Sequence, residues 1–254
     1  MERTSIYLSI DLESWASPNL SEFTMLTSRE KKLLDNGHIK KSALRALTIL
    51  EKYKVKLTFF IVGQLYEWYP EVVEIIASKG HEIGYHTHSH DDATDVDGLL
   101  KSINRSKKFL KRFNPVGFRA PRLTINHACL TLLKKYGFTY DSSTYGKYVP
   151  RKKIAGMCEL PVSSFAGIPV GSGYFIGMLG KQIPWFYQTL IGNDMPVISF
   201  IHNWQILKPE NPIFPTGRYL WTHPHYLPYM ADCSESFEHL IQRYTVLPMK
   251  NLLQ

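Results

Sequence analysis

Cysteine is scarce in this chain. Of 254 residues only Cys129, Cys158 and Cys233 are cysteines, odd in number, far apart and without a CxxC pair. That excludes a disulfide scaffold, and reduced, buried small residues of a cytosolic compartment are the expectation. Long apolar runs are missing too, since none approaches the roughly 18 residues a spanning helix requires. The opening MERTSIYLSIDLE places Asp11 and Glu13 where a signal peptide needs an uninterrupted apolar core. Cytoplasmic retention is therefore expected. No internal repeat, low-complexity tract or Pro/Gly-rich linker interrupts the chain, so a single domain over residues 1–254 is expected. A glycine-rich phosphate loop is also absent.

Apolar residues are plentiful, at 44% against 20% charged, which offsets ordering entropy and rules out a disordered chain. The formal charge is +8, unevenly spread: residues 1–153 hold 25 Lys+Arg and 16 Asp+Glu, a net +9, and the remainder a net −1. Basic clusters lie at Lys101–Arg112 and Lys147–Lys153. Each reads most simply as a solvated face; the alternative is attraction to a lipid head group, a diphosphate or nucleic acid. Nucleic-acid binding has only the charge behind it and is not expected.

Strand and helix signals alternate. Strands are expected at Ser5–Asp11, Lys56–Val62, His81–Tyr85, Val116–Arg119, Phe138–Tyr140, Glu159–Val162 and Val197–His202. Helices are expected at His38–Tyr53, Val72–Ser78, Asp97–Phe113, Ile125–Tyr136 and Phe237–Tyr244, with residues 19–35 a polar loop. Short strands alternating with helices argue an α/β fold, a parallel sheet or barrel of about seven strands.

Several expected strand ends carry polar residues, and in such folds ligands and catalysts gather at the carboxyl ends of the strands. Asp11-Leu12-Glu13 offers two acids; the pair alone would equally suit a helix cap or surface turn. His86-Thr87-His88-Ser89-His90 offers three histidines in five residues. If a helix opens there, His86 and His90 share a face and grip one metal, with His88 pointing elsewhere. Arg119, beside Ala120-Pro121, either completes a structural ion pair or holds a catalytic carboxylate. Asp141 in Tyr140-Asp141-Ser142-Ser143 and His202 in His202-Asn203-Trp204-Gln205 complete the set. Two histidines and a carboxylate suit one divalent transition metal, zinc first, with cobalt, nickel, iron or manganese also accepted. Metal, carboxylate base and protonated histidine together make a hydrolase kit.

In their order these motifs resemble the polysaccharide deacetylases, metal-dependent carbohydrate esterases and amidases with a distorted (β/α) barrel. SIDLESW stands at the family's first motif, His86–His90 at the second with the lead-in GHEIGYH, Arg119-Ala120-Pro121 at the third, YDSS at the fourth and His202 at the fifth. Gly171–Phe175 and HNWQ correspond to further segments of one branch, with Asn203 and Gln205 where that branch has Pro and Glu. Leu12 separates acids that are adjacent in many members; residues i and i+2 still share one face of an extended strand. The resemblance implies Asp11 as general base and Glu13, His86 and His90 as metal ligands. It further implies that Arg119 orients Asp11, that His202 is the general acid and that Asp141 tunes His202. The implied reaction removes an N-acetyl or other N-acyl group from an amino sugar of a cell-surface glycan or its lipid-linked precursor.

Related barrels hydrolyse formamides and cyclic amides, and these remain the alternative. A phosphoesterase-type His-x-His barrel would place its pair after the first strand. A non-haem iron oxygenase would sit on an all-β jelly roll, and a non-enzymatic binding barrel would have lost the base or acid. The basic half, with Tyr174, Phe175, Met178, Leu179, Trp185, Phe186 and Tyr187 in one segment, adds the expectation of peripheral contact with an anionic membrane at the inner face.

Overall fold

A computed structural model describes residues 4–17, 21–192, 195–210 and 227–253. Eleven strands occur among them: β1 (Ser5–Leu12), β2 (Thr58–Ile61), β3 (Glu82–Tyr85), β4 (Gly117–Phe118), β5 (Tyr140–Asp141), β6 (Tyr145–Gly146), β7 (Lys153–Ile154), β8 (Met157–Glu159), β9 (Val162–Ser163), β10 (Val197–His202) and β11 (Thr245–Leu247). Nine form one sheet in the order β10-β1-β2-β3-β4-β5-β8-β7, with β11 beside the start of β1. Every pairing in it is parallel except β7 with β8. The sheet curls into an open half-barrel, the α/β class expected, with more strands than the seven anticipated. β6 and β9 pair separately, and β9 reaches β10 through the Ser163 hydroxyl, which accepts from Ile198 N–H at 2.9 Å.

Parallel strands are buried on both faces, and their side chains alternate between them. On β1, Ile6, Leu8, Ile10 and Leu12 face the outer helices in the main core, which also takes Phe59, Ile61 and Tyr85. Phe60, Tyr140, Ile198 and Met249 form a separate inner cluster, with Tyr7 packed against it. Ser9 and Asp11 follow Tyr7 at two-residue steps, so they share its face. The inner space is small: a Cβ on Gly117 would stand 2.1 Å from the Tyr140 ring.

Glu82, buried inside, ties the lower end together. Thr58 Oγ1 donates to its Oε2 at 2.6 Å and Tyr140 Oη to its Oε1 at 2.9 Å. Lys250 N–H adds a third bond at 3.0 Å, and Met249 N–H donates to Thr58 at 2.8 Å. A buried carboxylate is tolerable only with such donors, and here they fasten the 3₁₀ turn Met249–Leu253 under the barrel.

Three local expectations are corrected. The loop expected for residues 19–35 contains helices Ser21–Thr24 and Ser28–Asp35; residues 19 and 20 lie outside the described residues. The second helix begins with a reciprocal cap, Glu30 N–H to Thr27 Oγ1 and Thr27 N–H to Glu30 Oε2, a Thr-x-x-Glu signal readable in the sequence. Asp97–Phe113 is two helices, Val96–Arg105 and Lys107–Phe113, broken at Ser106, whose hydroxyl bonds inward to Tyr85. The final helix is Ser234–Arg243, with Tyr244 as its cap. β11 follows as a short strand too brief to show periodicity.

His81 illustrates how burial sets protonation. Its Nδ1 accepts from Leu57 N–H at 3.4 Å, and burial first, then Lys56, pushes its pKa down to about 4. Below pH 6.5 the unfolded chain binds a proton that the folded ring refuses until about pH 4. The ring's contribution to stability therefore falls as pH drops through that window. The stability advantage of wild type over His81→Leu should shrink by on the order of 1.4 kcal/mol per pH unit between 6.5 and 4, measured by urea unfolding at several pH values.

Candidate active site

Parallel register gathers the strand ends at one rim. Asp11 on β1 pairs with His202 on β10. Tyr85 pairs with Phe118, which sets His86 beside Arg119. Phe118 pairs with Asp141, and Asp141 with Glu159. Residues more than a hundred positions apart thus become neighbours because each ends its strand at the same level.

The histidine segment is not a helix. β3 ends at Tyr85 and residues 87–89 form a turn, with Thr87 at φ 55° and His90 at φ 61°. Left-handed backbone is costly for such residues, and the surroundings impose it. Gly63 N–H and Gln64 N–H, just past β2, each donate at 2.8 Å to the Thr87 and His88 carbonyls. A Cβ at Gly63 would stand 2.3 Å from Ser106 Oγ, so glycine permits this approach. The two kinks still bring His86 and His90 together. His88 turns away, its Nδ1 3.0 Å from Ser106 Oγ and its N–H bonded to Ser102 Oγ.

Glu13, just beyond β1, completes the group. Its Oε2 is 2.8 Å from His90 Nε2 and 3.8 Å from His86 Nε2. Ligand atoms of all three residues lie within 4.8 Å of one another, and all three residues are buried. Two features fit a cation there. Glu13 Oε2 is buried and faces the two imidazoles without a well-aligned hydrogen bond. His86 Nδ1 faces the Arg119 carbonyl at 2.7 Å, which assigns the proton to Nδ1 and leaves the Nε2 lone pair for a metal. Burial alone would raise Glu13, but His90, His202 and His86 outweigh it and hold the carboxyl at about 2. Burial keeps His86 neutral down to about 4. A carboxylate and a neutral imidazole are the forms a metal requires.

Asp11 is held by Arg119, whose Nη1 donates to its Oδ1 at 2.7 Å and to Ser9 Oγ at 2.8 Å, and its charge also acts on His86. His202, partly exposed, places Nε2 3.5 Å from Glu13 Oε1. Its Nδ1 faces Gln205 Oε1 at 3.2 Å, and its own N–H donates to the same oxygen at 2.9 Å. Asp141 does not supply this contact. Its two oxygens accept instead from the Ser143 hydroxyl at 2.6 Å and Ser143 N–H at 3.1 Å. The expected tuning of His202 by Asp141 thus has no direct hydrogen bond behind it, and Gln205 is the residue that faces the ring nitrogen.

Two neighbours had no role assigned from the sequence. Asn203 Oδ1 accepts from Glu13 N–H at 3.0 Å, while its amide donates to Ser42 Oγ at 2.9 Å. Trp204 Nε1–H donates to Glu13 Oε1 at 3.2 Å, and its ring stacks between His202 at 4.2 Å and Tyr229 at 4.6 Å. Their signal was position in HNWQ, next to His202; their contacts with Glu13, some 190 residues away, are tertiary.

The polysaccharide deacetylase profile matches residues 33–140. Over that stretch the chain is similar to that family. A peptidoglycan deacetylase-like protein of Gibberella zeae is 36% identical over 109 residues, 40% of this chain and 32% of that protein. A peptidoglycan-N-acetylglucosamine deacetylase of Bacillus cereus is 30% identical over 129 residues, 49% of this chain and 58% of that protein. The matched part thus spans a third to under two-thirds of these relatives' own length. A Mycobacterium smegmatis structure assigned to the polysaccharide deacetylases superposes with a TM-score of 0.65 at 21% identity, over 80% of this chain and 78% of that one. At that identity the likeness is one of fold.

His86→Ala and His90→Ala should each abolish most bound metal, whereas His88→Ala should retain it. Trp204→Phe, which removes only the N–H on Glu13, should weaken metal affinity by roughly 10–100-fold. Metal titration with a competing chelator measures all four, and equal loss in all three histidine variants would contradict the ligand assignment.

Proposed function

We propose that this protein is a metal-dependent hydrolase that removes the N-acyl group, acetyl first, from an amino sugar of a cell-surface glycan or its lipid-linked precursor. The observation that carries the reading is the joining of two units at one rim: the Glu13–His86–His90 group, and the Asp11–Arg119 pair with His202 nearby. The peptidoglycan-directed names of the relatives support the substrate class.

Glu13, His86 and His90 would hold a divalent cation, zinc first by the donor set, which would supply the positive charge to polarise an amide carbonyl and acidify water. Arg119 occupies Oδ1 of Asp11 and fixes the carboxylate, leaving Oδ2 to take a proton from water as oxygen attacks the acyl carbon. Nδ1 of His202 faces the Gln205 oxygen, so in the imidazolium form the second proton sits on Nε2, the nitrogen that protonates the departing amine. Cleavage of the C–N bond then gives the free amino sugar and the carboxylic acid. Trp204 stacked on His202 limits the ring's rotation and covers Glu13 from one side.

Asp11→Asn should retain metal and fold yet lose about 10²–10⁴-fold in rate, read by mass spectrometry of acetate release from N-acetylglucosamine oligomers. Loss of metal in Asp11→Asn with retention in Glu13→Gln would exchange the two roles.

The lipid-linked form of the substrate is the finer part of the proposal. Met178, Trp185 and Met230 are exposed, as are Lys152 and Lys153. No helix among the described residues is long and apolar enough to cross a membrane; the bilayer contact we propose is peripheral, at the inner face. Co-sedimentation with anionic liposomes should be salt-sensitive and weakened by replacing Lys152 and Lys153. No binding, with full activity on free sugar oligomers, would overturn the membrane part alone.

A further inference from the structure

Asp141 is a buried carboxyl at the active rim that does not reach His202. It lies at the end of β5 in register with Glu159 of β8, and the two carboxyls are hydrogen-bonded to each other. Burial first, then Glu159, pushes Asp141 well above the ordinary carboxyl range, and burial raises Glu159 as well. Two such groups in contact cannot both ionise cheaply, so they share a proton. Thr144 Oγ1 donates to Glu159 Oε1 at 2.5 Å and Lys152 is the cation facing that carboxyl. A protonated Asp141 does not compete with Asp11 for the guanidinium.

Side-chain and carbonyl contacts of Ser142 and Ser143 converge on Arg119 and its neighbour. Arg119 Nε donates to the Ser142 carbonyl at 3.1 Å and Nη2 to Ser142 Oγ at 2.9 Å. Ser143 Oγ donates to Asp141 at 2.6 Å and accepts from Ala120 N–H at 2.8 Å. Phe60 and Phe200 flank the guanidinium at 4.3 and 5.0 Å. Nη1 is thereby left for Ser9 and Asp11. We propose that Asp141, Ser142 and Ser143 form a cradle that positions Arg119, and through it Asp11, making Asp141 a positioning residue of the base rather than a partner of the acid.

The kinetic side of this proposal rests on the hydrolysis proposed above; the structural side does not. The test compares Ser142→Ala, Asp141→Ala and Asp141→Asn for kcat, KM, metal content, thermal midpoint and hydrogen exchange of the Arg119 Nε–H by NMR. Ser142→Ala and Asp141→Ala should lose about 10–100-fold in kcat with KM and metal content nearly unchanged, as expected for a misaligned base. Their Arg119 Nε–H should exchange at least about tenfold faster as local protection is lost. Asn keeps an acceptor for the Ser143 hydroxyl and offers an N–H to Glu159, so Asp141→Asn should recover most of the rate lost in Asp141→Ala. Equal inactivation by Asn and Ala would show that the charge of Asp141 is needed and overturn the proposal, as would an unchanged kcat in Ser142→Ala. Should Asp141→Ala fail to fold, Ser142→Ala decides. If wild type cleaves no N-acyl sugar, the functional reading fails separately. The exchange data then decide the cradle, and unchanged Arg119 protection in Ser142→Ala removes it.

Discussion

Arg119 is a permanent charge with no exposed surface, and the site is organised around keeping it satisfied. A buried guanidinium needs a paired carboxylate and acceptors for its remaining N–H groups. Asp11, Ser9 and both oxygens of Ser142 meet that need from two strands, β1 and the end of β5. The residue's backbone is equally committed: its N–H donates to the Tyr85 carbonyl at 3.1 Å and its carbonyl faces His86 Nδ1. One residue therefore sets the orientation of both the candidate base and one metal ligand. An alternative packing of any of these strands would strand a charge in the core, which gives the rim a single arrangement.

The HNWQ segment does for the other half what Arg119 does for the first. His202, Asn203, Trp204 and Gln205 are consecutive, yet two of them act on Glu13 and one acts on His202 itself. A neutral amide at Gln205, where a related branch has a carboxylate, fixes the ring without adding charge beside it. The negative charge of this half stays on Glu13, where three histidines face it. The candidate base and acid thus end neighbouring strands, with the Glu13–His86–His90 group beside them at the same rim.

Periodicity and turn chemistry decided a good deal in advance. Alternating strands and helices, the acids at Asp11 and Glu13, the histidine cluster, Arg119 and His202 were all legible because each is a local pattern: a strand-end polar residue, a spacing, a proline beside an arginine. The capping box at Thr27–Glu30 was equally local and went unread among polar residues. β11 was not legible, being three residues long; nor was the break at Ser106, since a hydroxyl's preference for an inward bond depends on Tyr85 lying beneath it.

Tertiary structure alone decided the partnerships. The sequence supplied two acids two residues apart, but only register against β10, β2 and the His86–His90 turn separated Glu13 toward the histidines and Asp11 toward Arg119. Asp141 shows the same limit more sharply. Its place at a strand end was evident, but its partner was settled by β5 pairing with β8 and by Ser142 and Ser143 folding back on Arg119. Hydrogen bonds span about 3 Å, and which groups come within that distance across a hundred residues depends on strand register and loop path. Local sequence fixes which chemistry is available at each strand end; packing fixes which ends meet.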